Sequence, residues 1–367
     1  AFIKQGLRDL SISRNTFKWG IPLEADPEHV VYVWFDALVN YITGVGYENN
    51  QEMFDKYWNN AEVVHIIGKD ILRFHAVIWP TMLMSAGLKI PGKIYAHGWW
   101  TSDGEKMSKS KGNVVDPACE AYKYGIDAFR YFVLREVPFG SDGDYSRKAM
   151  VQRINADLAN DLGNLLNRTL GMVKKYFNGV VENGAGEDEF DVQIKQMFTA
   201  TLAQLDIDMN NIHLSKALET IWKFISRMNK YIDETMPWAL AKDEAKKPRL
   251  AMVMYNLVEA LYKIAVVISP VMPDTSKEIL RQLGTDDKIE NIMIDDIRVW
   301  GNMKAGTKLA EAKPIFPRVE YEEEKENTDK PETGKVAAKE KIEIENPILL
   351  DDFKKVKIQV VRILEAD

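Results

Sequence analysis

The chain has 367 residues, 46% of them hydrophobic and 28% charged, and a formal net charge of −7, which is ordinary composition and length enough for two or three domains with full cores. Its single cysteine, Cys119, excludes a disulfide framework and a cysteine zinc site within the chain, and the acidity argues against indiscriminate nucleic-acid binding while leaving room for a local basic site. No apolar run reads as long enough to span a bilayer and the opening Ala1-Phe2-Ile3-Lys4 lacks a signal-peptide pattern, so a reducing, cytoplasmic setting with no membrane partner is expected.

Residues 1–20 are polar and mixed, an extended segment closing in a turn at Trp19-Gly20. They start as if in mid-domain, which leads us to expect a fragment. Residues 30–42 begin with β-branched and aromatic residues that predict a buried strand, with Asp36 at the handover to a helix carrying Ala37, Leu38 and Tyr41. Trp34, Ala37, Leu38 and Tyr41 either wall an apolar pocket or are plain core, and taken alone the aromatic stripe favours core. Val63 to Ile67 predicts a second strand, Gly68-Lys69-Asp70 a turn, and Ile71 to about Met84 an amphipathic helix. A glycine at the carboxyl end of a parallel strand is where open α/β sheets bind ligands. Asp70 there is either a ribose acceptor or the N-cap of the next helix, and Ile71 and His75 share one helix face.

A third strand, Ile94 to His97, leads through Gly98-Trp99-Trp100 to Gly104-Glu105-Lys106-Met107-Ser108-Lys109-Ser110-Lys111-Gly112-Asn113. Three lysines between two glycines make a loop free to move, with positive charge suited to phosphoryl oxygens. A solvated basic turn is the bland alternative, but the string Lys-Met-Ser-Lys-Ser has a chance frequency of only about one in 20⁵ per position. Asp116-Pro117 starts a helix ended by Gly125, Asp127 caps the next, and residues 138–146 are turn chemistry and a plausible domain boundary.

From there to about Leu283 the pattern is helical, with Leu158, Leu162, Leu165, Leu166 and Leu170 on one face, and about five helices in a bundle are expected. Asn164 and Arg168, four apart, carry groups suited to base edges. Pro237-Trp238 places an indole at a helix start, where it can stack a base. A surface ion pair and a bundle-sealing tryptophan are the plainer alternatives. Residues 284–319 are irregular, residues 320–341 read as a charged disordered linker, and residues 342–367 as strands too short for a domain of their own.

The lysine loop, Tyr32-Val33-Trp34-Phe35-Asp36-Ala37, His65-Ile66-Ile67-Gly68-Lys69-Asp70 and His97-Gly98-Trp99 occur together and in order. That set resembles the methionyl-tRNA synthetase family of class I aminoacyl-tRNA synthetases, from about Arg8 to Val319. The resemblance implies an α/β fold: the C-terminal half of a Rossmann-type parallel-sheet catalytic domain with the lysine loop (1–118), a helical connector touching the tRNA stem (119–146), an α-helical anticodon-binding bundle (147–300) and a C-terminal extension (301–319). After the linker (320–341) it implies the truncated start of an OB-fold tRNA-binding domain (342–367), a route to homodimers in a full-length protein. It implies ATP-dependent charging of tRNA(Met) through a methionyl-adenylate, with ATP carried by Mg²⁺. Lys106 and Lys109 would stabilise the phosphates, Lys109 foremost; Gly68 and Asp70 would hold the ribose; the backbone of His97, Gly98 and Trp99 would hold the adenine. Trp34, Ala37, Leu38, Tyr41, Ile71 and His75 would form the methionine pocket, Leu38 being a departure because some members have proline there. Asn164, Arg168 and Trp238 would read the CAU anticodon.

The family's first phosphate motif, His-x-Gly-His, and its zinc-bearing connective domain are not in this sequence, so any zinc site lies outside this chain. A fragment with weak or no adenylation alone is therefore expected. Two other readings remain at this stage: another class I synthetase of the leucyl, isoleucyl or cysteinyl type, and a tRNA-binding module without catalysis.

Overall fold

The computed structural model describes residues 3–6, 9–102, 104–108 and 112–321. Most of the expected linker and all of the expected OB-fold start lie outside the described residues.

The chain opens with an antiparallel sheet in which β3 (Asp26–Val31) lies between β1 (Ser13–Arg14) and β2 (Pro22–Leu23). The expected strand over the first part of 30–42 is corrected here: it stops at Val31, and helix α1 (Val33–Gly44) begins at once. Trp34 and Asp36 therefore stand in the first helical turn. Burial explains the choice, because Leu38 and Ile42, four apart, are 1% and 5% exposed whereas Val33 is 62% exposed. Helical spacing buries the larger side chains and overrides the β propensity of Val33.

Helix α2 (Gln51–Phe54), capped by Asn50, runs into a π-helical turn at Asp55–Asn59 that seats Trp58 in the core. Strand β4 (Val64–Gly68) then pairs in parallel with β5 (Lys93–His97), Gly68 opposite His97 at the carboxyl ends. The single helix expected from Ile71 to Met84 is broken into a 3₁₀ turn (Lys69–Ile71), a π-helical turn (Phe74–Ile78) and α3 (Trp79–Ser85). Pro80, in the first turn of α3, cannot donate into the preceding ladder, and an interrupted ladder favours the wider π turn.

Strand β6 (Trp100–Ser102) pairs antiparallel with β7 (Glu105–Lys106) and parallel with β8 (Gly143–Tyr145). Between β7 and β8 run α4 (Pro117–Tyr124), whose cap Asp116 accepts from Ala118 N, and α5 (Ile126–Arg135), separated by Gly125 at φ 94°. The stretch 138–146, expected as turn and boundary, thus returns a strand to the sheet beside the lysine loop.

Helix α6 (Arg147–Arg153) continues through π-helical residues Ile154–Gly163 into α7 (Asn164–Phe177). Then follow α8 (Glu189–Asn210), α9 (Leu214–Thr235), the short α10 (Pro237–Leu240), α11 (Lys247–Ile268) and α12 (Pro273–Gln282). The expected leucine face is buried, Leu158 to Leu170 at no more than 3% exposure. Asp127 does not cap α5; its buried carboxylate accepts from Thr275 N at 2.6 Å and Thr275 Oγ1 at 2.8 Å, and so caps α12 across the fold. Contrary to the sequence reading, residues 244–268 are long and apolar enough to cross a bilayer by length and composition, but 89% of that window is buried inside the bundle. Among the described residues there are two cores: one around Leu38, Trp58 and Trp79, the other running from Ala128 to Leu309. The second joins α5 and β8 to the bundle.

Candidate functional site

Four groups of residues gather where the sequence singled them out, and the parallel pair β4–β5 sets the first. Its register brings Gly68 beside His97. A side chain at Gly68 would begin 2.4 Å from Asp70 Oδ1 and 3.8 Å from His97 Cε1, so glycine is what lets Asp70 fold back over the strand end. Asp70 is exposed and meets no donor among the described residues. It is thus not the N-cap that sequence left open, since it stands inside the 3₁₀ turn Lys69–Ile71. His97 Nδ1–H donates to the carbonyl of Gly98 at 2.9 Å. Gly98 is buried, and a Cβ there would stand 2.0 Å from Ser141 O. Trp99 presents its ring to solvent, 47% exposed.

Two residues that sequence reasoning passed over complete this corner. Lys69 Nζ donates to both oxygens of Asp142, at 2.6 and 2.5 Å, and sits 4.2 Å from the Trp99 ring centroid. Asp142 Oδ1 also accepts from Trp99 N at 2.8 Å. These bonds hold the Asp142 carboxyl below the usual carboxylate range, the Lys69 ammonium first and the Trp99 amide second. No local pattern announces them, since 73 residues separate Lys69 from Asp142.

The lysine loop grows from the same corner. Lys106 ends β7 and holds its ammonium 5.4 Å from the Trp99 centroid. Gly104 and Gly112 take φ of 78° and 70°, the left-handed region that costs other residues. The stems are pinned: Asp144 Oδ1 accepts from Gly104 N at 2.8 Å, and Asn113 Oδ1 accepts from Ser108 N at 2.8 Å. Lys109, with Ser110 and Lys111, lies outside the described residues.

The aromatic group is built on α1 and the π turn before α3. His75, 1% exposed, donates from Nδ1 to the Ile71 carbonyl at 3.1 Å, because a carbonyl only accepts. Its Nε2 then accepts the Tyr41 hydroxyl proton at 2.8 Å. Trp34 stacks on Phe74 with centroids 4.1 Å apart, and the Tyr41 ring lies 4.5 Å from His65. Trp34, Tyr41, Ile71 and His75 are therefore brought together, with Ala37 exposed on the same helix. Leu38 is not beside them at the surface; it lies beneath, in the core with Ile42 and Trp79. Phe74, Trp79 and His65 were missed as members of this group, although their apolar and ring character was visible in the sequence.

His65 accepts the Trp79 indole N–H at Nε2, 3.2 Å away, so that nitrogen carries no proton. Burial first, and His75 second, lower its pKa from 6.5. A histidine that folds neutral binds more protons when unfolded, so its contribution is complete above pH 6.5 and is lost as pH falls from there through the lower folded value. Thermal unfolding followed from pH 8 to 5.5 is expected to lose stability below pH 6.5, and His65→Gln to flatten that slope. An unchanged slope in the variant would refute the assignment.

On the bundle, Asn164 is exposed at the start of α7 and Arg168, one turn on, pairs with Asp233 Oδ1 at 2.7 Å. The plainer expectation of an ion pair therefore holds for Arg168. Trp238 is 45% exposed on α10. Asn164 lines a polar cleft of about 470 Å³ together with Asn160, Asn167 and Arg318, and Arg318 donates to Asn160 Oδ1 at 2.7 Å. Arg318 comes from the irregular C-terminal stretch, which no periodicity could assign to this face.

Residues 1–170 match the family model for class I tRNA synthetases (M), and residues 181–335 match that for the anticodon-binding domain of methionyl tRNA ligase. The methionine–tRNA ligase of Fusobacterium nucleatum is 63% identical over 88% of this chain and 51% of its own length. That of Thermotoga maritima is 44% identical over 100% of this chain and 56% of its own. The solved Mycobacterium tuberculosis methionyl-tRNA synthetase in complex with methionyl-adenylate superposes with a TM-score of 0.80 at 44% identity, covering 86% of this chain and 62% of that one. The chain spans about half the length of the curated relatives it matches.

Proposed function

The chain belongs to the methionyl-tRNA synthetase family of class I enzymes, and from that premise we propose that it serves ATP-dependent ligation of methionine to tRNA(Met) in the cytoplasm. The observation that carries the reading is one corner of the fold: the carboxyl ends of two parallel strands, an exposed Asp70, the Trp99 ring and the root of the lysine loop, beside a cluster of aromatic rings and histidines. In the first step the methionine carboxylate oxygen bonds to the α-phosphorus of ATP, and the bond to the β-phosphate oxygen breaks. The pair of electrons leaves on pyrophosphate, where lysine ammonium groups meet the added charge. The tRNA 3′-terminal ribose then displaces AMP from the methionyl carbonyl. Mg²⁺ bound to the ATP phosphates would supply charge neutralisation there.

We assign Gly68, Asp70 and the 97–99 backbone to the adenosine, Lys106 and Lys109 to the phosphates, and Trp34, Ala37, Tyr41, Ile71 and His75 to methionine, with Leu38 as their floor. The thioether pairs well with aromatic rings, and the Tyr41–His75 bond keeps both polar groups satisfied in an apolar site. Asn164, Arg168 and Trp238 are assigned to the anticodon. Domain limits of 1–118 for the catalytic part, 119–146 for the connector and 147–300 for the bundle, with 301–319 as an extension, are proposed with them.

The test is methionine-dependent ATP–pyrophosphate exchange, run on this chain alone and with the upstream half of the Fusobacterium relative added. Exchange in either arrangement supports the ligase. No exchange in both, with CAU-dependent tRNA binding intact, would replace it by a recognition module. Separately, Trp238→Ala is expected to weaken tRNA(Met) binding by roughly 1–3 kcal/mol, the worth of one stacked base, while exchange measured without tRNA stays unchanged. Loss of both together would remove Trp238 from the anticodon face.

A further inference from the structure

The stretch 138–144 sits far in sequence from the nucleotide corner, yet it grips that corner at four points. Ser141 O occupies the place a side chain at Gly98 would need, 2.0 Å from its Cβ. Trp99 is held on both sides of its backbone: its N–H donates to Asp142 Oδ1 at 2.8 Å, and its carbonyl accepts from Gly143 N at 2.9 Å. Asp144 Oδ1 accepts from Gly104 N at the loop hinge and from Thr101 Oγ1 at 2.6 Å. The Asp142 carboxylate at the same time binds the Lys69 ammonium from the end of β4. Lys69 and Asp142 are 34% and 52% exposed, and ion pairs that open contribute little to folding. What the carboxylate does fix is geometry. It ties the end of β4 to the Trp99 peptide, and it balances one of the two ammonium groups that lie 4.2 and 5.4 Å from the Trp99 ring centroid.

We propose that Asp142 is a positioning residue for ATP: through the Trp99 amide and the Lys69 ammonium it holds the 97–99 backbone and the Trp99 ring in the geometry that receives the nucleotide. This deepens the function proposed above and rests on that reading. The bond to Trp99 N needs an acceptor oxygen at this place, and the ammonium partner fixes which way that oxygen points. Asparagine keeps an acceptor, whereas alanine keeps neither role. A misplaced 97–99 backbone would weaken binding of ATP while leaving the aromatic pocket on α1 and the π turn intact, since no residue of that pocket bonds to Asp142 among the described residues.

The experiment is pyrophosphate exchange in whichever arrangement supports it, with ATP and methionine varied in turn. Asp142→Ala is expected to raise KM for ATP about tenfold, one bonded contact's worth, with KM for methionine and the melting temperature unchanged. Asp142→Asn is expected to recover most of that loss. Gly98→Ala, which pushes Ser141 off the backbone from the other side, is expected to reproduce the ATP effect. Equal rises in both KM values, or a kcat loss in step with a lower melting temperature, would make the role purely structural and overturn the proposal. An unchanged KM for ATP in Asp142→Ala would overturn it too, with the ligase reading intact. Absence of exchange from the unsubstituted protein in every arrangement would bring down the ligase reading, and this proposal with it.

Discussion

Lys263→Met is expected to destabilise the protein by roughly 3–5 kcal/mol, the range for breaking a buried ion pair by removing one partner. Lys263 and Glu259 are both fully buried, one turn apart on α11, with Nζ and Oε1 3.0 Å apart. Burial lowers the Lys263 pKa against the opposing pull of Glu259, so the ammonium survives only through its partners. It donates to the carbonyls of Ile297 and Val299 and to Asn302 Oδ1, all within 2.8 Å. Glu259 accepts from the backbone amides of Gly301, Asn302 and Met303. The pair is thus the polar lining for a whole irregular segment, 297–303, whose backbone groups have no ladder to join.

That distinguishes it from a buried pair that apolar residues can replace at no loss. The double variant Glu259→Leu/Lys263→Met removes the unpaired charge but leaves the 297–303 amides and carbonyls unsatisfied, each at a cost of about 1–3 kcal/mol. It is expected to be no more stable than the single variant in urea unfolding. Recovery of the original midpoint would show that the pair serves only itself.

Lys109→Ala is expected to lower kcat for pyrophosphate exchange about 10²–10³-fold, the loss seen when one donor aimed at developing charge is removed. The stems that bracket the loop are fixed by Asp144 and Asn113, and Gly104 and Gly112 take the left-handed backbone at its two ends. Lys106 belongs to a stem and rests near Trp99, so we assign the larger share to Lys109, between the hinges. An interaction made mainly in the transition state changes kcat and kcat/KM together and leaves KM for methionine alone. A variant that kept kcat and raised only KM for ATP would put Lys109 in ground-state binding instead.

Much of this was legible in the sequence because it is local. The helix from Asp116-Pro117 to Gly125 formed as read, cap and stop included, since those signals act within one turn. The leucine face of the bundle followed from helical spacing, and the lysine string with its companion motifs named the family that the comparisons bear out. What was misread was decided by distant partners. Val30 and Val31 keep the strand, whereas Val33 and Trp34 go to the helix, in which Leu38 and Ile42 gain a buried face. Asp127, read as the cap of its own helix, caps α12 because Thr275 offers two donors to a carboxylate already buried there.

The sequence by itself determined which motifs occur and in what order, and with them the family and the side chains proposed for phosphate, thioether and base. Only the tertiary structure decided how those groups are held. Asp142 on Trp99 and Lys69, Arg318 beside Asn160, and Glu259 under the 301–303 backbone all bridge elements far apart in the chain. Periodicity reports a residue's own face and turn, whereas a hydrogen bond between distant elements depends on where the whole fold brings them.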